Sequence, residues 1–113
     1  MPRYVSRAKR LEKALLALSD NDVERCKEDV ETLLSEMESW RDKLDGTNFE
    51  ATEKFEDIEG CIGQLEEGIE YLEGIENSSW YRTIEDYEDL EEYDELKSAA
   101  EDTLSNVEFP GMY

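Results

Sequence analysis

Two matched apolar stripes, separated by six residues, constrain this chain more than any other feature. Val23, Cys26, Val30, Leu33, Met37, Trp40 and Leu44 recur in steps of three and four, and so do Ala51, Phe55, Ile58, Ile62, Leu65, Ile69 and Leu72. That alternation is a heptad seam along one face of an α-helix. Between the seams lies DGTNFE, residues 45–50. Gly46 suits the left-handed position that ends a helix. Thr47 and Glu50 have the spacing of a capping box, so a second helix can begin at once. A short connection between complementary seams predicts an antiparallel helical hairpin, about 5–44 with 50–75, in an all-α fold. Pairing outward from the turn sets Leu44 against Ala51, Trp40 against Phe55, Met37 against Ile58, Leu33 against Ile62 and Cys26 against Ile69. Trp40, Phe55 and Phe49 would close the turn end with aromatic rings, which makes Trp40 core filler rather than a ligand-stacking residue.

Upstream, Ala8, Leu11, Leu15 and Leu18 continue the pattern, but the step from Leu18 to Val23 is five. The seam slips at SDND (19–22), whose residues favour caps. With no glycine or proline there, the expectation is one long helix with a phase shift. Its Leu11/Leu15/Leu18 stripe would overhang the hairpin and need covering, by the C-terminal segment or by a second subunit. In the second helix Gly60, Gly63 and Gly74 fall on one side, away from the seam, where another backbone could approach. ENSSW (76–80) marks a break, with Asn77, Ser78 and Ser79 all able to cap a helix starting near Trp80. One or two shorter acidic helices are expected over about 79–106, bent or divided near Leu90–Asp94. Phe109, Met112 and Tyr113 follow as an apolar tail in EFPGMY (108–113). Self-association, most simply as a homodimer, is expected through Leu11, Leu15, Leu18, Phe109, Met112 and Tyr113.

The chain of 113 residues suits a single domain, 1–113, yet carries a formal charge of −20 from 12 basic and 32 acidic residues. Residues 1–13 form a basic N-terminal arm of +4, so the rest carries −24. So negative a body repels nucleic acid and anionic lipid. No apolar run suits a membrane span or a secretory leader, so a cytoplasmic protein is expected. Cys26 and Cys61 lie far apart and at different heights on the hairpin, so they are expected as free thiols. There is no histidine, and no calcium-loop or phosphate-loop motif. Carboxylate pairs are too abundant for any one to signal acid–base catalysis. The expectation is therefore no enzyme, no metal and no cofactor.

The acidity peaks between Glu85 and Glu95, where eight of eleven residues are Asp or Glu. On one continuous helix Glu85, Glu88, Glu92 and Glu95 would form one row and Asp86, Asp89 and Glu91 another, at several ångströms between neighbours. Nucleic acid also presents negative charge every few ångströms along each strand. Ordinary solubility needs a net charge of only about 2–8 in magnitude. The reading this favours is an inhibitor that mimics nucleic acid. Glu85, Asp86, Glu88, Asp89, Glu91, Glu92, Asp94 and Glu95 would bind a basic nucleic-acid-binding protein. Tyr87 and Tyr93 would pack against the hairpin, or else stack on the partner's arginines. The alternatives are a structural or oligomeric interaction protein and a chaperone-like binder of a basic peptide.

In size, charge and helical content the chain resembles the DNA-mimic anti-restriction and anti-CRISPR proteins of phages. WRDKLDGTNFEATEKFE (40–56) and EFPGMY (108–113) are similar to segments of small helical proteins from tailed phages. These resemblances imply phage origin, residence in a bacterial host, and a host defence nuclease, or its DNA-binding subunit, as the target.

Overall fold

The computed structural model describes residues 6–44, 53–81 and 83–109. Over that span the chain is all-α, with four helices: α1 (Arg7–Ser19), α2 (Val23–Leu44), α3 (Glu53–Glu76) and α4 (Glu91–Ser105). A single 3₁₀ turn, Tyr87–Asp89, precedes α4. The two seams form α2 and α3, which pack on each other. Val23, Cys26, Val30, Leu33 and Met37 of α2 are buried with Ile58, Ile62, Leu65, Ile69 and Leu72 of α3 in one core. The helices run antiparallel: Lys27, near the start of α2, pairs with Glu76, at the end of α3, at 2.8 Å. Trp40 and Phe55 are half-buried, and the expected plug residue Phe49, like Ala51, lies outside the described residues.

The expected long first helix is two helices. Its seam slip is a chain reversal built on Asn21, which adopts φ 66°. Asparagine tolerates that left-handed conformation better than most residues, so no glycine was needed. The amide of Asp22 donates to Ala17 O at 2.8 Å and that of Asn21 to Leu18 O at 2.9 Å, the paired bonds of a Schellman motif. Asp22 then caps α2, its Oδ1 accepting from the Arg25 amide at 3.2 Å. At the other end of α1 the Ser6 hydroxyl accepts from the Lys9 amide. Folded back this way, α1 lies along α2 and does not overhang. Arg10 forms a two-pronged bond to Glu36, at 2.8 and 2.5 Å, and Arg7 reaches the same carboxylate at 3.2 Å. Residues 7–13 of the expected basic arm are thus the start of a packed helix.

α4 returns antiparallel to α3 and also touches α1. Tyr93, Ala100 and Leu104 are buried, completing an up-down-up-down arrangement. The glycine that admits this helix is Gly68. A Cβ there would stand 2.6 Å from Leu104 Cγ, whereas Gly60 and Gly63 face open space. Gly74 meets α4 at Leu96, 3.5 Å from an added Cβ. The expected close approach therefore exists, but it is centred one face round from the three glycines singled out by spacing. The two cysteines are buried and unpaired. Burial, helped by Asp29, raises the Cys26 thiol to about 12; burial raises Cys61 to about 11. Both stay protonated near neutrality and behave as small core residues.

Candidate functional site

Charge divides sharply between the two hairpins. Residues 1–44 hold nine basic and ten acidic side chains; residues 45–113 hold three and 22, a net of −19. The densest part is the stretch joining α3 to α4. It is not the continuous acidic helix the spacing suggested. Its described residues, 78–81 and 83–90, form tight turns. Tyr81 donates to Ser78 O, Thr83 to Trp80 O, Tyr87 to Ile84 O, Asp89 to Asp86 O and Leu90 to Tyr87 O, each bond spanning three residues, while Ile84 donates to Trp80 O across four. Steps of three in Ile84, Tyr87 and Leu90 accompany the three-residue bonds Tyr87 to Ile84 O and Leu90 to Tyr87 O; Tyr93 already belongs to α4. Like charges three and four apart disfavour a regular helix here as well. Leu90 is extended (φ −74°, ψ 138°), and α4 starts after it, so the expected division near Leu90 is present.

The eight carboxylates are accordingly distributed over three settings. Glu85 and Asp86 sit in the turn, Glu88 and Asp89 in the 3₁₀ segment, and Glu91, Glu92, Asp94 and Glu95 in the opening turns of α4; all eight are exposed. The α4 group has a second use, because Glu91, Glu92 and Asp94 lie where the helix dipole favours negative charge. Among the described residues none of the eight enters an ion pair.

Beneath them lies an aromatic cluster. The Trp80 and Tyr87 rings are stacked at 6.3 Å, and Tyr93 meets Trp80 edge-on at 6.1 Å and Tyr87 at 5.4 Å. Tyr81 adds an edge contact to Tyr87 at 5.2 Å. Trp80 Nε1 donates to Glu92 Oε2 at 2.8 Å, tying the turn to α4. The Tyr93 hydroxyl donates to Asn21 Oδ1 at 2.7 Å, and Lys97 Nζ donates to the same oxygen at 3.0 Å. The α1–α2 corner and the acidic stretch are thereby fastened to one another. Burial, reinforced by Tyr87 and Glu88, raises the Tyr93 phenol, so it remains a donor. Tyr93 is buried against the helices and Tyr87 half-buried, the packing role expected of both. Trp80 and Tyr81 were not singled out from sequence; the signal was their place immediately before a run of apolar residues at steps of three.

The expected self-association residues have different fates. Leu11 and Leu18 are buried within their own chain, Leu15 and Phe109 partly so, against the core. Met112 and Tyr113 lie outside the described residues, as does Arg3. The leucine stripe is therefore covered by α2 and α4, which removes the motive it supplied for a dimer. Among the described residues no cluster of three or more Cys, Asp and Glu side chains could hold a metal ion, and no helix is long and apolar enough to cross a membrane. Comparison with family models, with curated proteins and with solved structures finds no match.

Proposed function

We propose that this protein acts by binding, not catalysis, and occupies the basic nucleic-acid-binding surface of a partner with carboxylates in place of phosphates. One observation supports the reading most: eight exposed carboxylates, free of ion pairs among the described residues, are mounted on a packed aromatic base. Exposed acids on a loose loop would lose conformational entropy on docking; acids already held in place lose less. Arginine forks on the partner would engage them two-pronged. The resemblance to phage DNA-mimic inhibitors makes a host defence nuclease the first partner to test.

The experiment offers bacterial nucleic-acid-binding proteins to the immobilised protein and elutes the bound fraction with duplex DNA. Elution by DNA, weaker capture as salt rises, and loss of capture in a Glu88→Lys, Asp89→Lys, Glu91→Lys, Glu95→Lys variant of unchanged helicity support the reading. Glu92 is spared because it accepts from Trp80. Capture that persists in the variant and resists DNA overturns it.

A further inference from the structure

A phosphate backbone has no apolar side chain, yet this acidic surface does. Among the described residues only two large hydrophobic side chains are exposed, Leu16 and Ile84, and Ile84, 45% exposed, immediately precedes the carboxylate stretch. It is not a loose end. Its amide donates to Trp80 O at 3.1 Å, and its carbonyl accepts from the Tyr87 amide at 3.3 Å. The half-exposed rings of Tyr81 and Tyr87, in edge contact at 5.2 Å, belong to the same turn. Glu85, Asp86 and Glu88 follow in sequence, all exposed. An apolar centre with a charged rim is the anatomy of a protein–protein interface, in which the desolvated centre supplies affinity and the rim selects the partner.

Resting on the binding role proposed above, we infer that Ile84 is an apolar anchor at this surface and that the partner element it receives is a basic amphipathic helix. The argument is charge complementarity. Among the described residues the charged neighbours that follow Ile84, namely Glu85, Asp86 and Glu88, are acidic and exposed, so the element opposite carries Lys or Arg, and an exposed aliphatic centre requires that element to bring an apolar stripe between its cations. A helix does so at steps of three and four. Nucleic acid, being anionic, and a uniformly charged basic tail both fail one half of that requirement.

The test uses two synthetic peptides of identical Arg and Leu composition, about 18 residues each, or five helical turns. In one the leucines fall on a single helical face; in the other the order is scrambled. Binding to the full chain is measured by fluorescence anisotropy at several salt concentrations. The amphipathic peptide should bind about tenfold more tightly, the value of burying roughly half an isoleucine side chain. Ile84→Ser should remove most of that preference while leaving the salt dependence and the melting temperature unchanged, since Ile84 is outside the packed core. Equal binding of the two peptides, or a preference that survives Ile84→Ser, overturns the anchor. Salt-sensitive binding without preference would do so while leaving the carboxylate reading intact; no binding of either peptide would bring down both.

Discussion

The α1–α2 hairpin and the α3–α4 hairpin are built from similar helices and held by different forces. In the first, acids and bases nearly balance, and Glu36 is gripped by Arg7 and Arg10. The second has too few cations for that. Its α3–α4 contact relies on apolar packing at Gly68 and Leu104, and the stretch between those helices on four aromatic rings. The lesson is that self-repulsion in one half is tolerated because cohesion there does not depend on charge. Among the described residues none of the eight carboxylates of the acidic stretch enters an ion pair.

Perturbing each half should expose this division. The largest effect is expected at the apolar contact of the acidic half. Gly68→Ala forces its new methyl into Leu104 and should cost about 1–3 kcal/mol by chemical denaturation. Gly60→Ala, in open space on the same helix, should instead stabilise by up to about 1 kcal/mol; equal effects would refute the placement of α4. Tyr93→Phe removes the hydroxyl that joins the acidic stretch to Asn21 and should cost about 0.5–1.5 kcal/mol.

In the balanced half, Glu36→Gln tests the ionic grip through pH. Hydrogen bonding to Arg10 leads the causes that hold the Glu36 carboxyl below its ordinary range. Its contribution is therefore present above that range and lost as pH falls through the depressed value. The stability gap between parent and variant, no more than about 1 kcal/mol for so accessible a pair, should be widest at neutral pH and close in acid. The smallest effect is salt. Moderate sodium chloride should raise the parent's melting temperature by screening repulsion among the acids. A fall would show that ionic attraction dominates in both halves.

The seams of α2 and α3 were readable because burial leaves a period in the sequence that any folded solution must respect. The break at Asn21 was half readable. The five-residue step from Leu18 to Val23 showed that something happens, but a left-handed asparagine looks in sequence like any polar residue. Ile84, Tyr87 and Leu90 recur in steps of three, a departure from the α-helical spacing, yet helix capping signals at Asn77–Ser79 and the helical content around them pointed to an α-helix. Gly68 escaped notice because its partner, Leu104, is supplied by a helix 36 positions away, and no local pattern records such a meeting. Of the candidate site, the identity of the eight acids was readable in composition, whereas the aromatic floor and the isolated Ile84 depend on which faces the turns expose.

The alternating direction of the four helices has a practical corollary for handling the molecule. α1 begins near Glu36, and the segment after α4 brings Phe109 beside Glu56, Asp57 and Gly60, so both ends of the helical body lie at the pole opposite the Trp80–Tyr93 cluster. A dye, an affinity handle or a surface tether grafted ahead of Ser6 or behind Phe109 would hold the protein by its foot. The carboxylate crown would then point away from the support.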